Sequence, residues 1–319
     1  MNILITGGKG YIGAAMIHQL LGKGHKVICL DLKSSPGRLG DIATRVTMLG
    51  GGLPGVKELI SLIKEHTIDR IAHMPFFMSA PSNAEQIWQE ISVMVAGSVD
   101  VYEAARGTGV NRVIFPSSIR YFGPQWLHGE VYLNEDSPSL AKSIYGTGKR
   151  LNEVVAYHYN MRAGMSIISL RIPCVYGPGG RVGARGVNIA AVECALNRQA
   201  IFPHPPEEKV CVAHIDDVAK AMVLLLLHDN PRHYVYNIGG HTVSYWELAS
   251  FVREFLPDAQ ISYDESGGKI ELPYLMDYSR IRQEFGFEHR PLSEGYLDLI
   301  NATRREAELP VVEAIARPQ

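Results

Sequence analysis

Tyr145 and Lys149 lie four residues apart in SIYGTGKRLNEVVAYHY. The pattern of that stretch predicts a helix, and four residues is about one turn, so both side chains share a face. A free phenol, with a pKa of about 10, is a poor base at neutral pH. A neighbouring ammonium favours the phenolate, as does the positive charge of an oxidised nicotinamide. A phenol tuned in this way takes the proton of an alcohol while hydride leaves the same carbon. In the reverse direction it protonates the forming alkoxide. Ser118, in PSSIRYFG at the end of an expected strand, is placed to hydrogen-bond and orient the same oxygen.

A hydride acceptor has an expected seat near the N-terminus. The apolar run Met1–Thr6 leads straight into TGGKGYIG, where Gly7, Gly10 and Gly13 stand at GxxGxxG spacing between a predicted strand and a predicted helix. Glycines there permit a tight turn and close backbone approach, so that a pyrophosphate meets the helix N-terminus. Asp31 follows Gly10 by 21 residues and ends the second predicted strand, where a carboxylate accepts the adenine-ribose hydroxyls. It would repel a ribose 2′-phosphate, so the reading favours NAD over NADP. Lys33 and Arg38 follow closely in sequence and would offset part of that repulsion.

These groups need a scaffold, and the alternation of elements supplies one. Strand signatures occur at Met1–Thr6, Lys26–Asp31, Val46–Leu49, Arg70–Met74, Val113–Pro116 and Ser166–Arg171. Helical stretches at Ile12–Gly22, Val56–His66, Ser92–Gly107 and Ser143–Ala163 lie between them. Alternating βα units predict an α/β protein with a Rossmann-type doubly wound parallel sheet. After Tyr176 the pattern is less regular, with a Gly-, Pro- and Arg-rich segment and the loop HPPEEK. The short runs Val212–Ile215 and Val235–Ile238 are expected to return to the main sheet. The division that follows is 1–173, with 213–240 returning to it, and a smaller mixed α/β substrate lobe from 174–212 and 241–319.

Composition narrows the function classes. With 31 Lys+Arg against 33 Asp+Glu, the net charge of −2 gives no electrostatic reason to expect nucleic acid as partner. No run of about 18 apolar residues predicts a membrane span. MNILITGG has neither a basic n-region nor a cleavage-type site, so a cytoplasmic location is expected. Cys29, Cys174, Cys194 and Cys211 show no CxxC spacing, and the twelve histidines show no HxxxH or HExxH pattern. Neither a disulfide nor a metal is expected.

Several motifs in order carry a resemblance that runs from Met1 to about Gly286. Besides TGGKGYIG, Asp31, Ser118 and YGTGK, they are RIPCVYGP at Arg171–Pro178, VAHIDDVAKA at Val212–Ala221 and YNIGG at Tyr236–Gly240. The chain resembles the extended short-chain dehydrogenases/reductases of the NAD-dependent epimerase/dehydratase family. The resemblance implies that Gly7, Gly10, Tyr11, Ile12 and Gly13 hold the pyrophosphate, and Asp31 the ribose, with Leu32 beside it. Gly52 and Leu53 would lie by the adenine, Met74 and Pro75 along the middle of the cofactor, and Pro173 near the nicotinamide. Tyr145 would be the acid/base and Ser118 its assistant, while Lys149 would bind the nicotinamide ribose and tune Tyr145. A homodimer through the helices at 92–107 and 143–163 is implied as well.

The departures from that family concern substrate. Cys174 stands where nucleotide-sugar enzymes carry Asn, and Val210 where they carry an Arg four residues before the motif His, here His214. SGGKIELPYLMD lacks their RxGD-like pattern. A diphosphate held without arginine forks loses charge-assisted bonds, although Arg181 and Arg185 could compensate. Ser118-Ile119-Arg120 also lacks the acid pair of the dehydratases, and Met94 replaces a frequent Asn. Phe76, Phe77 and Met78 read either as an apolar substrate wall or as core. Arg120, Tyr121, Tyr176, Arg181 and Arg185 are candidate substrate contacts, and Cys174 reads as a small pocket-wall side chain, not a nucleophile.

Three readings stay open at this point. The first is an NAD-dependent oxidoreductase acting on a small non-nucleotide hydroxyl or carbonyl compound through Ser118, Tyr145 and Lys149. The second is a nucleotide-sugar 4-epimerase with tightly bound NAD. The third is a non-catalytic NAD-sensing protein.

Overall fold

In the computed structural model of the protein, residues 1–32, 37–75, 83–180 and 186–313 are described. The first half is built of strand–helix pairs: β1 (Asn2–Thr6), α1 (Tyr11–Gly22), β2 (Lys26–Leu30), β3 (Thr47–Leu49), α2 (Val56–Glu65) and β4 (Arg70–His73). Then come α3 (Ala84–Ile91), a π turn at Ser92–Ala96, α4 (Gly97–Thr108), β5 (Arg112–Ser118), α5 (Ile144–Ala163) and β6 (Ser166–Ile172). A seventh strand of the same sheet comes from much later in the chain, at Val235–Asn237. All neighbours pair parallel, in the spatial order β3-β2-β1-β4-β5-β6 followed by that late strand.

The strands read as near-continuous apolar runs because helices cover both faces. One face packs Ile3, Ile5, Ile17, Leu20 and Met222 into a core; the other packs Leu4, Ile71, Val101, Tyr102 and Ile167. The strand order reverses direction at β1 and β4, so the crevice beyond their C-terminal ends is the expected ligand site of such a sheet.

The remaining elements are β7 (Cys174–Tyr176), α6 (Ile189–Ala195), β8 (Ala200–Phe202), β9 (Lys209–His214), α7 (Ile215–Leu227), β10 (the seventh strand above), β11 (His241–Ser244), α8 (Tyr245–Phe255), β12 (Ile261–Tyr263), α9 (Ser279–Phe285) and α10 (Leu292–Glu306). A three-stranded sheet, β11-β9-β7, and a two-stranded one, β12-β8, are covered by α6, α8 and α10 around a third core. The expected return of Val235–Ile238 to the main sheet occurs, since β10 pairs with β6. That of Val212–Ile215 does not: β9 pairs parallel with β7 and antiparallel with β11. It is α7, which follows it, that packs along the first half, where Val218 and Met222, with Ala213 at the end of β9, join the core under α1.

The helix expected to start at Ser92 begins eight residues earlier. Asn83 caps it, its side chain accepting from the Gln86 amide at 2.9 Å. Through the π turn this helix runs alongside α5. Gly148 has no room for a side chain there, since a Cβ would lie 2.7 Å from the Met94 methyl. Ser143 caps α5 by accepting from the Gly146 amide, and Gly164 ends it in the left-handed region.

Candidate active site

The turn after β1 is shaped by what cannot fit in it. Gly7 has φ +67°, and a Cβ on it would lie 2.8 Å from the Met74 carbonyl. A Cβ on Gly13 would meet the Gly7 carbonyl and the Gly8 Cα, both at 2.8 Å. Gly10 precedes α1 in extended conformation and offers no side-chain cap, and the first turn carries no acidic residue. The amides at the start of α1 are therefore left for an anion, which the helix dipole also favours. The cradle fits a dinucleotide pyrophosphate.

Asp31 sits directly after β2, its carboxylate accepting from the Lys9 amide at 3.0 Å and the Leu32 amide at 2.7 Å. Beyond it, a Cβ on Gly52 would touch Leu32, and one on Gly97 would touch Leu53. Leu32, Gly52 and Leu53 are thus grouped on the same side of the turn as Asp31. Among the described residues, the cation paired with Asp31 is Lys9, 3.9 Å away. Arg38 turns elsewhere: it lies 5.5 Å from the centre of the Tyr11 ring and donates to the Gly179 carbonyl. Tyr11 also spans the crevice, donating to the Gly177 carbonyl at 2.8 Å.

At the other end of the crevice, Tyr145 is hydrogen-bonded to the Ser118 hydroxyl. Lys149 is 1% exposed and donates to the carbonyls of Pro116 at 2.7 Å and Pro75 at 3.2 Å. An ammonium carries three donors, and among the described residues two are used. Its Nζ lies 5.4 Å from the centre of the Tyr145 ring. Both pKa values move with burial: the phenol is pushed up to about 12, while Lys149 is pushed down to about 7, the Glu153 charge resisting. The expected lowering of the phenol by its lysine neighbour is therefore reversed in the free protein. Arg120 and the Ser118 hydroxyl pull the phenol down, but desolvation outweighs them.

A buried polar chain fixes α5, and Lys149 with it, against the strands. His73 shares hydrogen bonds with Thr6 at 2.6 Å and Ser98 at 3.2 Å. Asn152 donates to Ser98 at 2.9 Å and accepts from Tyr102 at 3.0 Å. Burial lowers the His73 pKa to about 3, helped by the Lys149 charge, so the ring is neutral at ordinary pH. This chain joins β1, β4, α4 and α5 in one satisfied network. Histidine spacing, the signal for a metal, gives no sign of it in the sequence.

The other candidates divide. Met74 and Pro75 follow β4, and Pro173 is buried between β6 and β7. The Arg120 charge acts on Tyr145 and pulls its pKa down. Cys174 is half-buried. Tyr121 is half-buried under the Arg171 guanidinium, which stands 3.5 Å from its ring centre. Tyr176 is a correction: it is 0% exposed, stacked on Tyr296 at 5.1 Å and edge-on to His214, and belongs to the lobe core rather than to a substrate wall. Phe76, Phe77, Met78, Arg181 and Arg185, like Lys33, lie outside the described residues.

His214, Asp216 and Asp298 bring possible ligand atoms within 4.8 Å of one another. His214 Nδ1 accepts from the Asp216 amide and caps α7, Nε2 stands 3.3 Å from Asp298, and Arg290 pairs with Asp216. These contacts make the group a polar cluster that ties β9 and α7 to α10.

A glycine-walled crevice at the switch point of a parallel sheet, closed at one end by Ser118, Tyr145 and Lys149, defines a dinucleotide-binding α/β enzyme fold. The sequence profile of the NAD dependent epimerase/dehydratase family matches residues 3–239, and the chain belongs to that family as an NAD-dependent enzyme. Among curated relatives, a UDP-glucose 4-epimerase of Corynebacterium glutamicum is 26% identical over 92% of each chain. One of Azospirillum brasilense is 27% identical over 71% of this chain and 68% of its own. Among solved structures, the UDP-glucose 4-epimerase of Thermus thermophilus in complex with NAD superposes with TM-score 0.81 at 23% identity, covering 95% of this chain and 99% of that one. L-threonine 3-dehydrogenase of Trypanosoma brucei superposes with TM-score 0.83 at 21% identity, covering 97% and 98%. Among the described residues, no helix is long and apolar enough to cross a membrane.

Proposed function

We propose that the protein is an NAD-dependent oxidoreductase that moves hydride between NAD and a small, non-nucleotide hydroxyl or carbonyl compound. The observation that carries the chemistry is Tyr145 bonded to Ser118 with Lys149 buried one turn on. NAD, when bound, supplies the hydride acceptor. The amides opening α1 hold its pyrophosphate, Asp31 its adenine ribose, and the remaining Lys149 donor its nicotinamide ribose. Tyr145 takes the substrate hydroxyl proton and Ser118 orients the same oxygen. In the free protein the high phenol pKa suits Tyr145 as a donor to a forming alkoxide. Cationic charge arriving with ligands lowers it toward use as a base.

The substrate class rests on what the lobe lacks. Val210, at the position of the diphosphate-gripping arginine, is 0% exposed in β9 and packed in the lobe core. An arginine could not simply be restored there without opening that core. The fold itself permits small substrates, since a protein named L-threonine 3-dehydrogenase shares it.

A second reading, a nucleotide-sugar 4-epimerase with retained NAD, is favoured by relatives that bear that name and align over nearly the whole chain. Released NAD(H) per chain separates the two. Near-complete retention through purification together with interconversion of UDP-glucose and UDP-galactose supports the epimerase. Reversible NAD binding and NADH formation with a panel of small hydroxy compounds support the oxidoreductase.

We also propose a homodimer through the helices at 92–107 and 143–163. Leu151, Val154, Tyr157 and Met161 are exposed along α5, an apolar stripe for which a self-complementary partner helix is the simplest cover. The oligomeric state in solution tests it.

A further inference from the structure

Glu90 stands one helical turn before Met94, in the helix that runs alongside α5. Met94 meets Gly148, and Ser98 bonds Asn152, so residue numbers rise together along the two helices. The same register brings Glu90 to the level of Tyr145, and its charge acts on the phenol, raising its pKa. Glu90 is 1% exposed, and among the described residues neither carboxylate oxygen has a hydrogen-bond partner. Burial raises its own pKa, and no counter-charge among the described residues pulls it back.

An ionised carboxyl shut away from water without a partner is costly, and chains rarely keep one unless something outside the chain completes it. Here the group lies at the level of the phenol, on the helix packed alongside α5, rather than in a remote core. We infer that Glu90 is the seat of a protonated amine on the substrate, carried next to the carbinol carbon: the substrate class is a 1,2-amino alcohol. The inference rests on the small-substrate reading above and makes it specific.

Two features follow from the same geometry. The ammonium supplies the partner that Glu90 lacks, as a charge-assisted hydrogen bond in a dry site. It also cancels the charge by which Glu90 holds the phenol up, so that seating the amine eases proton loss from Tyr145. Arg120 acts on the phenol with the opposite sign.

The test measures binding and does not depend on turnover. The probes are 1-amino-2-propanol and 1,2-propanediol, which share a carbon skeleton and differ in the group offered to Glu90. Calorimetry on the full chain with NADH present should show the amine bound about tenfold or more tightly than the diol, the size of one charge-assisted bond. Glu90→Gln should abolish that preference while melting at or above the wild-type temperature. Should Glu90→Gln not melt cooperatively, Glu90→Met serves the same comparison. Equal affinities in the wild type, no detectable amine binding, or a preference that survives in the variant would each overturn the inference. Preferential amine binding without NAD reduction by any hydroxy compound would refute the proposed oxidoreductase and leave Glu90 as an amine seat. Equal oxidation of amine and diol would do the reverse.

Discussion

The cofactor crevice and the substrate lobe use their residues differently. In the crevice the recognition groups are largely backbone: amides opening α1, carbonyls of Pro75 and Pro116, and glycines in places where a Cβ cannot enter. In the lobe they must be side chains, and the lobe turns one candidate, Tyr176, and two motif positions, Val210 and His214, to its own structure. Tyr176 stacks on Tyr296, Val210 is wholly buried, and His214 caps α7. A backbone site follows from the fold and tolerates few changes. A side-chain site changes whenever packing turns a residue inward, which is how one fold serves several substrates.

The sharpest test of this contrast is at Tyr145, a side chain set within the backbone-built half. Tyr145→Phe should lower turnover by about a thousandfold, within the range of one acid/base group, while NAD affinity stays within about twofold. Steady-state rates and NAD titration measure the two, and preserved turnover would remove the phenol from the chemistry.

Lys149 comes next, because burial lowers its pKa from 10.5 to about 7. Between those values the unfolded chain holds one more proton than the folded one, so stability rises with pH across the window. It falls again as pH drops toward the folded pKa. Lys149→Met lacks this dependence. In cofactor-free protein, wild-type stability relative to that variant should grow by about 1.4 kcal/mol per pH unit from pH 7 upward. A parallel pair of curves in denaturant titrations would mean that Lys149 is hydrated and unshifted.

A third comparison sets two glycines of α1 against each other. In Gly13→Ala the new methyl meets backbone at 2.8 Å, which cannot move aside, whereas nothing lies within 4 Å at Gly22. Gly13→Ala should cost about 1–3 kcal/mol and weaken NAD binding. Gly22→Ala should be neutral or slightly stabilising. Thermal melts with and without NAD read both effects, and equal behaviour would show that the turn yields.

Which of these features can be read in the sequence follows the same line. The strand–TGGKGYIG–helix unit is legible because spacing alone encodes it, and Tyr145 with Lys149 because one helical turn brings them to one face. Sheet membership of Lys209–His214 is not, because a short apolar run does not name its partner strand. Nor is the inward turn of Tyr176, which its contacts with Tyr296 and His214 explain. Glu90 escapes for a nearer reason: a helix expected from Ser92 leaves it out, although Asn83, Glu85 and the apolar residues Ile87 and Ile91 signal an earlier start. The π turn at Ser92–Ala96 breaks the 3.6-residue period and hides the continuity between the two segments.

The smallest expected effect concerns the one place where the crevice relies on a side chain for choice. Asp31 already accepts from two amides, Lys9 and Leu32, which fix its carboxylate at the end of β2. On the proposed reading, a carboxylate held there would accept ribose hydroxyls and oppose a 2′-phosphate. Of the two cations expected to soften that opposition, Lys33 lies outside the described residues and Arg38 is turned toward Tyr11 and Gly179, while Lys9 is drawn to the carboxylate itself. Asp31→Ala removes the repulsion and frees Lys9 for a phosphate. The ratio of NAD to NADP affinity should then fall by about tenfold, or about 1.4 kcal/mol. Because the two amides would lose a charged acceptor, most of the change should come from weaker NAD binding rather than strong NADP binding. Dissociation constants for both cofactors in both proteins decide it. An unchanged ratio would mean that cofactor choice, like the pyrophosphate cradle, is set by the backbone alone.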